Sequence, residues 1–396
     1  MSRLLTRLPA LLTIALTTSL LAQVPAAPTR SLNRPLPTWT QAEREFGFSR
    51  WDSIFPARVV KRGTRVHPLP DGAPIRAFLA GGSAAQKLDQ YAAAYQLAGL
   101  VVLQDGKIRL ERYAFGQNAG AKWTSFSVAK SLTSTLLGAA IKDGYITSVD
   151  EPVTKYIAGL RGSAYEGVTI RQLLTMTSGV KWNEDYTDTT ADVSRFYSAP
   201  LDPGMDATVS YMRKLPRESP PGTKWVYNTG ETNLLGVLVA EATKRPLAEY
   251  LSEKIWGPYG MEKDGSWILD RTSHEQAGCC FQATLRDFAR VGQFILDGAR
   301  IDGRSIVADG WLEAATRKQV ETNRPGRGYG YQWWTNDDGT FDAIGIYGQM
   351  IHIDPKRHMV VAMNSVWTVA TGQEQSLARF SLLSTIAAAV DAGARR

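Results

Sequence analysis

Strand-forming segments lie toward both ends of this chain and helix-forming ones lie between them, which leaves few architectures open. Leu100-Val101-Val102-Leu103, then Asp105-Gly106, then Ile108, Leu110 and Tyr113 read as strand, tight turn, strand. Tyr329 to Trp334, Ala343 to Ile353 and Met359 to Asn364 are short, rich in β-branched or aromatic residues, and read as further strands. From Ser127 to Asp143, apolar residues recur at three and four (Val128, Leu132, Leu136, Ala139, Ala140) until Gly144, which is a helix pattern with its stop. Thr169 to Gln172 reads as a capping box ahead of Leu173 and Leu174. Thr232 to Lys244 reads as another helix, and Pro246 opens the next at its first turn. Ala283 to Asp297 and Ser376 to Val390 complete the helices. This order predicts an α+β fold: an antiparallel β-sheet flanked by helices, built from both chain ends, with an all-helical insertion. The sheet domain takes residues 85–144 and 281–396, and residues 145–280 form a mostly helical domain. Residues 27–84 are an N-terminal leader and extension. Four prolines (Pro25, Pro28, Pro35, Pro37) mark residues 23–40 as a mobile leader.

Composition narrows the chemistry. The 396 residues are 44% hydrophobic, enough for a sizeable core. Net charge is +7 with no run of five basic residues, so a nucleic-acid partner is not indicated. The two cysteines, Cys279 and Cys280, are adjacent, which excludes a disulfide scaffold and a four-cysteine zinc site. Two partly buried thiols are expected there. The four histidines lack metal-ligand spacing, so no dedicated metal centre is expected; no cofactor is expected either. Arg3 and Arg7 precede an apolar stretch, Leu8 to Ala22, too short to span a membrane and of secretory-signal type. Residues 1–26 are therefore read as a signal peptide, with Ala22 as a second cut point. Losing Arg3 and Arg7 lowers the charge from +7 to +5. The expectation is a periplasmic or secreted protein with no stable membrane anchor after signal cleavage.

Ser127-Val128-Ala129-Lys130 is an SxxK tetrad. Residues three apart share a helix face, and a serine at a helix start has free backbone N–H groups and the positive dipole end beside it. A lysine stripped of water loses part of its basicity and can take the serine proton. Chance supplies about one such tetrad in a chain of this composition, so the pattern alone is a hypothesis. A second, Ser178 to Lys181, runs into Gly179 and reads as a loop after a helix. Ser127 opens an uninterrupted apolar helix and is the candidate nucleophile.

The order of motifs resembles the serine β-lactamase and penicillin-binding-protein superfamily, class C branch, over residues 85 to 392. Ser127 and Lys130 match the nucleophile tetrad, and Tyr227-Asn228-Thr229 matches the Tyr-x-Asn element. Ala343 to Gly348 matches the third element, which is Lys-Thr-Gly in β-lactamases and His-x-Gly in many related hydrolases. Within the superfamily the likeness is to 6-aminohexanoate-dimer hydrolases and family VIII carboxylesterases, through Trp182 to Tyr186, Trp256 to Met261 and Gly330 to Trp334. The resemblance implies a β-lactamase/transpeptidase-like fold with Ser127 as nucleophile, Lys130 as base and Tyr227 as proton relay. It places the oxyanion on the backbone N–H groups of Ser127 and Ile346. Tyr186, Trp182, Trp334, Ala343 and Gly345 become candidate substrate-binding residues, and Trp333 a further pocket residue. Two departures matter: Thr229 stands where β-lactamases carry Asn, and Ala343 where they carry Lys. Without that Lys, a carboxylate-binding charge is missing, which favours linear amides or esters over β-lactams.

The implied partner is a small-molecule amide or ester, acted on by a monomer or homodimer. Two alternatives share the fold: a β-lactamase or D-Ala-D-Ala carboxypeptidase, and a catalytically silent binding or sensor module. A Ser127–His352–Asp triad is a weaker reading, as is a role near the site for His274. No Gly-x-Ser-x-Gly occurs, so an α/β-hydrolase is not supported.

Overall fold

A computed structural model of the chain describes residues 31–32, 34–79 and 81–394. The signal-peptide reading of residues 1–26 lies outside the described residues. An eight-stranded sheet forms the centre. Its order is Lys107–Tyr113, Leu97–Gln104, Met359–Ser365, Met350–Asp354, Phe341–Ile344, Trp334–Asn336, Arg327–Tyr329, Val320–Glu321. Neighbours pair antiparallel throughout, and Val101 opposite Ala362 joins the two halves of the chain. The fold is thus α+β, with the sheet built from both chain ends as the sequence predicts.

The unbroken apolar run Leu100 to Leu103 has a packing reason: both faces of the sheet are covered. Val101, Leu103, Ile351 and Val360 face the main core, where the helix Leu285–Leu296 lies. There a Cβ on Gly292 would come within 2.4 Å of Val360, so only glycine lets helix and sheet approach. Leu100, Val102, Met359 and Val361 face the opposite way. They meet Leu382, Ile386 and Val390 of the C-terminal helix Gln373–Ala394, and Leu88 and Tyr91 of the helix Ser83–Ala94. Between the first two strands Asp105 and Gly106 both adopt positive φ (51° and 71°), the two-residue turn that suits strand twist.

A second, four-stranded antiparallel sheet runs Ala57–Val60, Gly265–Ile268, Phe281–Thr284, Lys122–Thr124. Two readings change here. The segment 145–280 is not wholly helical, because Gly265–Ile268 pairs in this sheet. The described part of residues 23–40 does not behave as a mobile leader: Trp39 is buried. Trp39, Phe48 and Trp51 stack into one aromatic cluster with Trp123, Phe126 and Tyr347. Prolines start the short turn Leu36–Thr38, and Thr40 then caps the helix Gln41–Gly47 with a full capping box. Proline content signalled a break in regular structure, and burial of the aromatics overrode it.

Helix limits move by a few residues. The helix Thr229–Thr243 starts earlier than expected because Asn228 caps it, accepting from the Glu231 N–H at 3.1 Å. Thr284 caps Leu285–Leu296 and ends the strand before it. Pro246 is the cap before Leu247–Leu251 rather than its first residue. The Thr169 capping box is present. Among the described residues no helix is long and apolar enough to cross a membrane.

Candidate active site

Ser127 sits where the small sheet hands the chain to a helix. After the strand Lys122–Thr124, Ser125 accepts from the Phe281 N–H at 3.0 Å, and Phe126 turns with φ 43°. That left-handed turn is unfavourable for a bulky side chain. It is held by Phe48 and Trp51, whose rings lie 5.0 and 5.4 Å from the Phe126 ring. A short 3-10 turn, Phe126–Val128, then leads into the buried helix Ala129–Lys142. Ser127 and Lys130 therefore lie one turn apart at the helix start, with the Ser127 N–H among the amides that helix geometry leaves unpaired.

Lys130 is 1% exposed. Its Nζ donates to Gly278 O (2.7 Å), Thr229 Oγ1 (2.9 Å) and Ser127 Oγ (3.1 Å). Burial pulls its pKa down to about 8, while the Glu184 carboxylate pulls the other way. The Tyr227 ring lies 5.2 Å from the Lys130 Nζ, and Tyr227 lines the same cleft as Ser127. Burial, then the Glu184 charge, raises the Tyr227 phenol, so it stays protonated at neutral pH. Tyr227 stacks on Trp334 at 5.6 Å, and Trp225 and Tyr329 complete that aromatic wall.

Opposite the helix start, the strand Phe341–Ile344 leads to Gly345 and Ile346. A Cβ on Gly345 would lie 2.5 Å from Ser125 O, so glycine alone lets this backbone press against the turn that carries Ser127. The amides flanking Ile346 are engaged internally, Gly345 N–H to Gln349 O (2.9 Å) and Tyr347 N–H to Ala370 O (2.8 Å).

Ser127, Trp182, Tyr186, Tyr227, Trp334, Gly345 and Ile346 all line one cleft of about 440 Å³. Two expected pocket residues do not. Ala343 is buried in the main core, and the alternation of the strand turns its neighbour Ile344 to the cleft instead. Trp333 packs edge-on against Phe341 in the same core. Tyr186 lines the cleft, but its hydroxyl donates to Glu184 at 2.6 Å.

Glu184 is the residue that sequence reasoning missed. Its carboxylate accepts from Tyr186, from the Thr229 N–H (3.0 Å), from the Thr229 hydroxyl and from the Trp182 indole. The hydroxyl of Thr229 thus accepts from Lys130 and donates to Glu184, linking the amine and the carboxylate. The sequence signal was the run Trp182 to Tyr186, with two acids between aromatics and no periodicity to say which faced inward.

The remaining candidates resolve simply. His352 Nδ1 pairs with Asp342 (2.7 Å) across the sheet, and Asp342 also holds Arg327 (2.7 Å); none of the three lines the cleft. His274 pairs with Asp206 at 2.6 Å beside a separate concavity. With Asp270 they are the group of potential metal donors found among the described residues, but Asp270 Oδ1 already accepts from Thr272 and His274 backbone amides. Ser178 donates to buried Glu231 while Lys181 is exposed, so the second tetrad brings no pair together. Cys279 and Cys280 are joined to each other, not free thiols. The turn explains it: Cys280 takes φ 68°, its N–H donates to Phe126 O (3.3 Å) and the Cys279 N–H to Gln276 O (3.0 Å), and the side chains have little room to diverge. That turn begins at Gly278, whose carbonyl anchors Lys130.

A buried serine–lysine pair at a helix start, facing a tyrosine and an antiparallel strand, marks a serine hydrolase. The Beta-lactamase family model matches residues 84–384, and the chain belongs to that family. A 6-aminohexanoate-dimer hydrolase of Paenarthrobacter ureafaciens is 28% identical over 349 residues, covering 84% of this chain and 88% of the relative. A solved Bacillus anthracis structure, provisionally named a 6-aminohexanoate-dimer hydrolase, is 26% identical with TM-score 0.74, covering 87% of this chain and 93% of the other. A penicillin-binding protein homologue from Caulobacter crescentus shares the fold at 16% identity and TM-score 0.62, over 80% of this chain and 99% of that one.

Proposed function

We propose that this hydrolase cleaves small linear amides or esters through an acyl-enzyme on Ser127. The observation that carries the reading is the 3.1 Å contact between Ser127 Oγ and a wholly buried Lys130 whose basicity is reduced to near neutrality. As a neutral amine, Lys130 donates to Thr229 and Gly278 and offers its lone pair to Ser127. Ser127 Oγ attacks the substrate carbonyl carbon and its proton moves to Lys130 Nζ. The backbone N–H groups of Ser127 and Ile346 hold the oxyanion. Tyr227, kept protonated, gives its proton to the leaving amine or alkoxide and regains one from the Lys130 ammonium. Water then attacks the acyl-enzyme along the reverse route.

The likeness to 6-aminohexanoate-dimer hydrolases supports an amide of that size, and carboxylesters are the second substrate class. At the third motif Ala343 is buried in the core and the apolar Ile344 faces the cleft, so no cation is offered there, which speaks against β-lactams. A secretory leader would place the enzyme in the periplasm or outside the cell, which N-terminal sequencing of the mature protein checks.

The test is a substrate panel: a nitrophenyl ester, an aminohexanoate dimer, a chromogenic cephalosporin and a D-Ala-D-Ala peptide, followed by product release and intact mass. A burst with an acyl mass adduct on the ester or dimer is expected, and Ser127→Ala should lose both. Turnover confined to the cephalosporin or the D-Ala-D-Ala peptide would replace this reading with the lactamase or carboxypeptidase one. No adduct on any substrate would leave a silent module.

A further inference from the structure

The disulfide of this protein joins neighbours in sequence, Cys279 and Cys280. A cross-link stabilises a fold according to the length of chain it closes, so a bond between neighbours contributes least to global stability. Its effect is local, on the one peptide unit inside the ring. What surrounds that unit gives the bond its importance. One residue before it, Gly278 O accepts from Lys130 Nζ at 2.7 Å, and the Gly278 N–H donates to Asn233 at 2.7 Å. Within it, the Cys280 N–H donates to Phe126 O at 3.3 Å, next to Ser127, and Cys279 O accepts from the Trp267 indole at 3.1 Å. One residue after it, the Phe281 N–H donates to Ser125 Oγ at 3.0 Å, and the Ser125 N–H to Phe281 O at 2.8 Å. The cysteine pair thus lies between the anchor of Lys130 and the contacts that hold the Ser127 turn.

Cys280 takes φ 68°, a left-handed conformation that is costly for any residue with a Cβ. The ring holds it there. Freed from the ring, the chain gains by leaving that conformation, and the backbone groups of Gly278 and Cys280 move with it. Cys280 is 4% exposed, whereas Cys279 is only half-buried and is the partner open to a reagent. Neither is among the residues that line the cleft, so a bound substrate does not stand in the way.

We propose that Cys279–Cys280 is a reversible thiol–disulfide modification site that takes a dithiol as its co-reactant and sets the activity of the Ser127 centre. Joined, the pair keeps Gly278 on Lys130; reduced, it lets that anchor drift. This rests on the hydrolase reading above. A thiolate of the dithiol attacks Cys279 Sγ, the S–S bond breaks, and Cys280 Sγ leaves as a thiolate and takes up a proton. The second thiolate of the donor then attacks the donor sulfur of the mixed disulfide and releases Cys279, which is protonated in turn. The pair gains two electrons and two protons, and the dithiol departs as its own cyclic disulfide. An oxidising compartment preserves the joined, active form.

The test reduces the purified protein with dithiothreitol, desalts it without oxygen and assays it on a nitrophenyl ester, with intact mass reporting the gain of two hydrogens. Reduction should lower kcat about five- to thirtyfold with KM little changed, the range set by releasing one left-handed residue. Oxidised glutathione should restore the activity. Cys279→Ser combined with Cys280→Ser should match the reduced wild type and ignore dithiothreitol. Cys279→Ser combined with Cys280→Gly should stay near the activity of the disulfide form and also ignore the reductant, because glycine takes φ 68° without a ring. Lost sulfur packing alone would damage both double variants alike. Full activity in the reduced wild type or in the double serine variant would overturn the switch, as would an equal loss in the serine and glycine variants. Amide hydrogen exchange over residues 276–282 reads the turn without turnover, and it should quicken on reduction. Quickened exchange in a protein that hydrolyses nothing sinks the hydrolase reading and keeps the redox-responsive turn; hydrolysis and exchange unaltered by reduction do the reverse.

Discussion

Lys130 in its charged form spends three donors on Gly278, Thr229 and Ser127 and has no lone pair to accept a proton. Only above its lowered pKa, about 8, does it face Ser127 as a base. The expected kcat/KM therefore climbs with pH through about 8 on the acid side. Glu184 favours the charged amine, so Glu184→Gln should shift that limb to lower pH, while keeping groups that can pair with Thr229 and Tyr186. A pH–rate profile of the two proteins checks the sign; an unchanged or upward shift would break the proposed coupling. At this scale the tetrad was legible from its spacing, and Tyr227 only through the family resemblance. The sequence did not show Glu184, which lies in a loop, and no local period predicts which side chain of a loop turns inward.

The segment Gln41–Ile54 is an element whose position matters more than its sequence suggested. Phe48 and Trp51 pack directly on Phe126, the residue whose turn presents Ser127. Trp51→Ala empties a buried aromatic position and should destabilise the protein by about 3–5 kcal/mol. It should also lower kcat, because the strained Phe126 turn loses a wall. Chemical denaturation with parallel kinetics separates the two effects; a stability loss with unaltered kcat would mean that the turn holds itself. Strands and helices of the centre were readable from period and from caps such as Thr169. The aromatic cluster was not, since prolines and scattered aromatics leave no pattern until the partners in residues 123–126 and 347 are in place.

Over the whole molecule, the strand Met359–Ser365 lies between Leu97–Gln104 and Met350–Asp354. Its neighbours on one side are more than 250 residues earlier in the chain, a long loop to close before the central pairing forms. A protein ending at residue 358 should lack the cooperative thermal transition of the full chain, as circular dichroism would show. Retention of a native-like transition would mean that the core closes without that strand. The layout of strands at both ends made this topology legible early, whereas the eight-strand order needed the pairing itself.

Lys130 is held by Thr229 and by Gly278, and Gly345 presses on the nucleophile turn from a strand made later still. Ribosomal synthesis therefore delivers the serine long before the groups that arm it. On the proposed mechanism the Ser127 hydroxyl would stay an ordinary alcohol during translation until the last third of the polypeptide supplies Gly278 and Gly345.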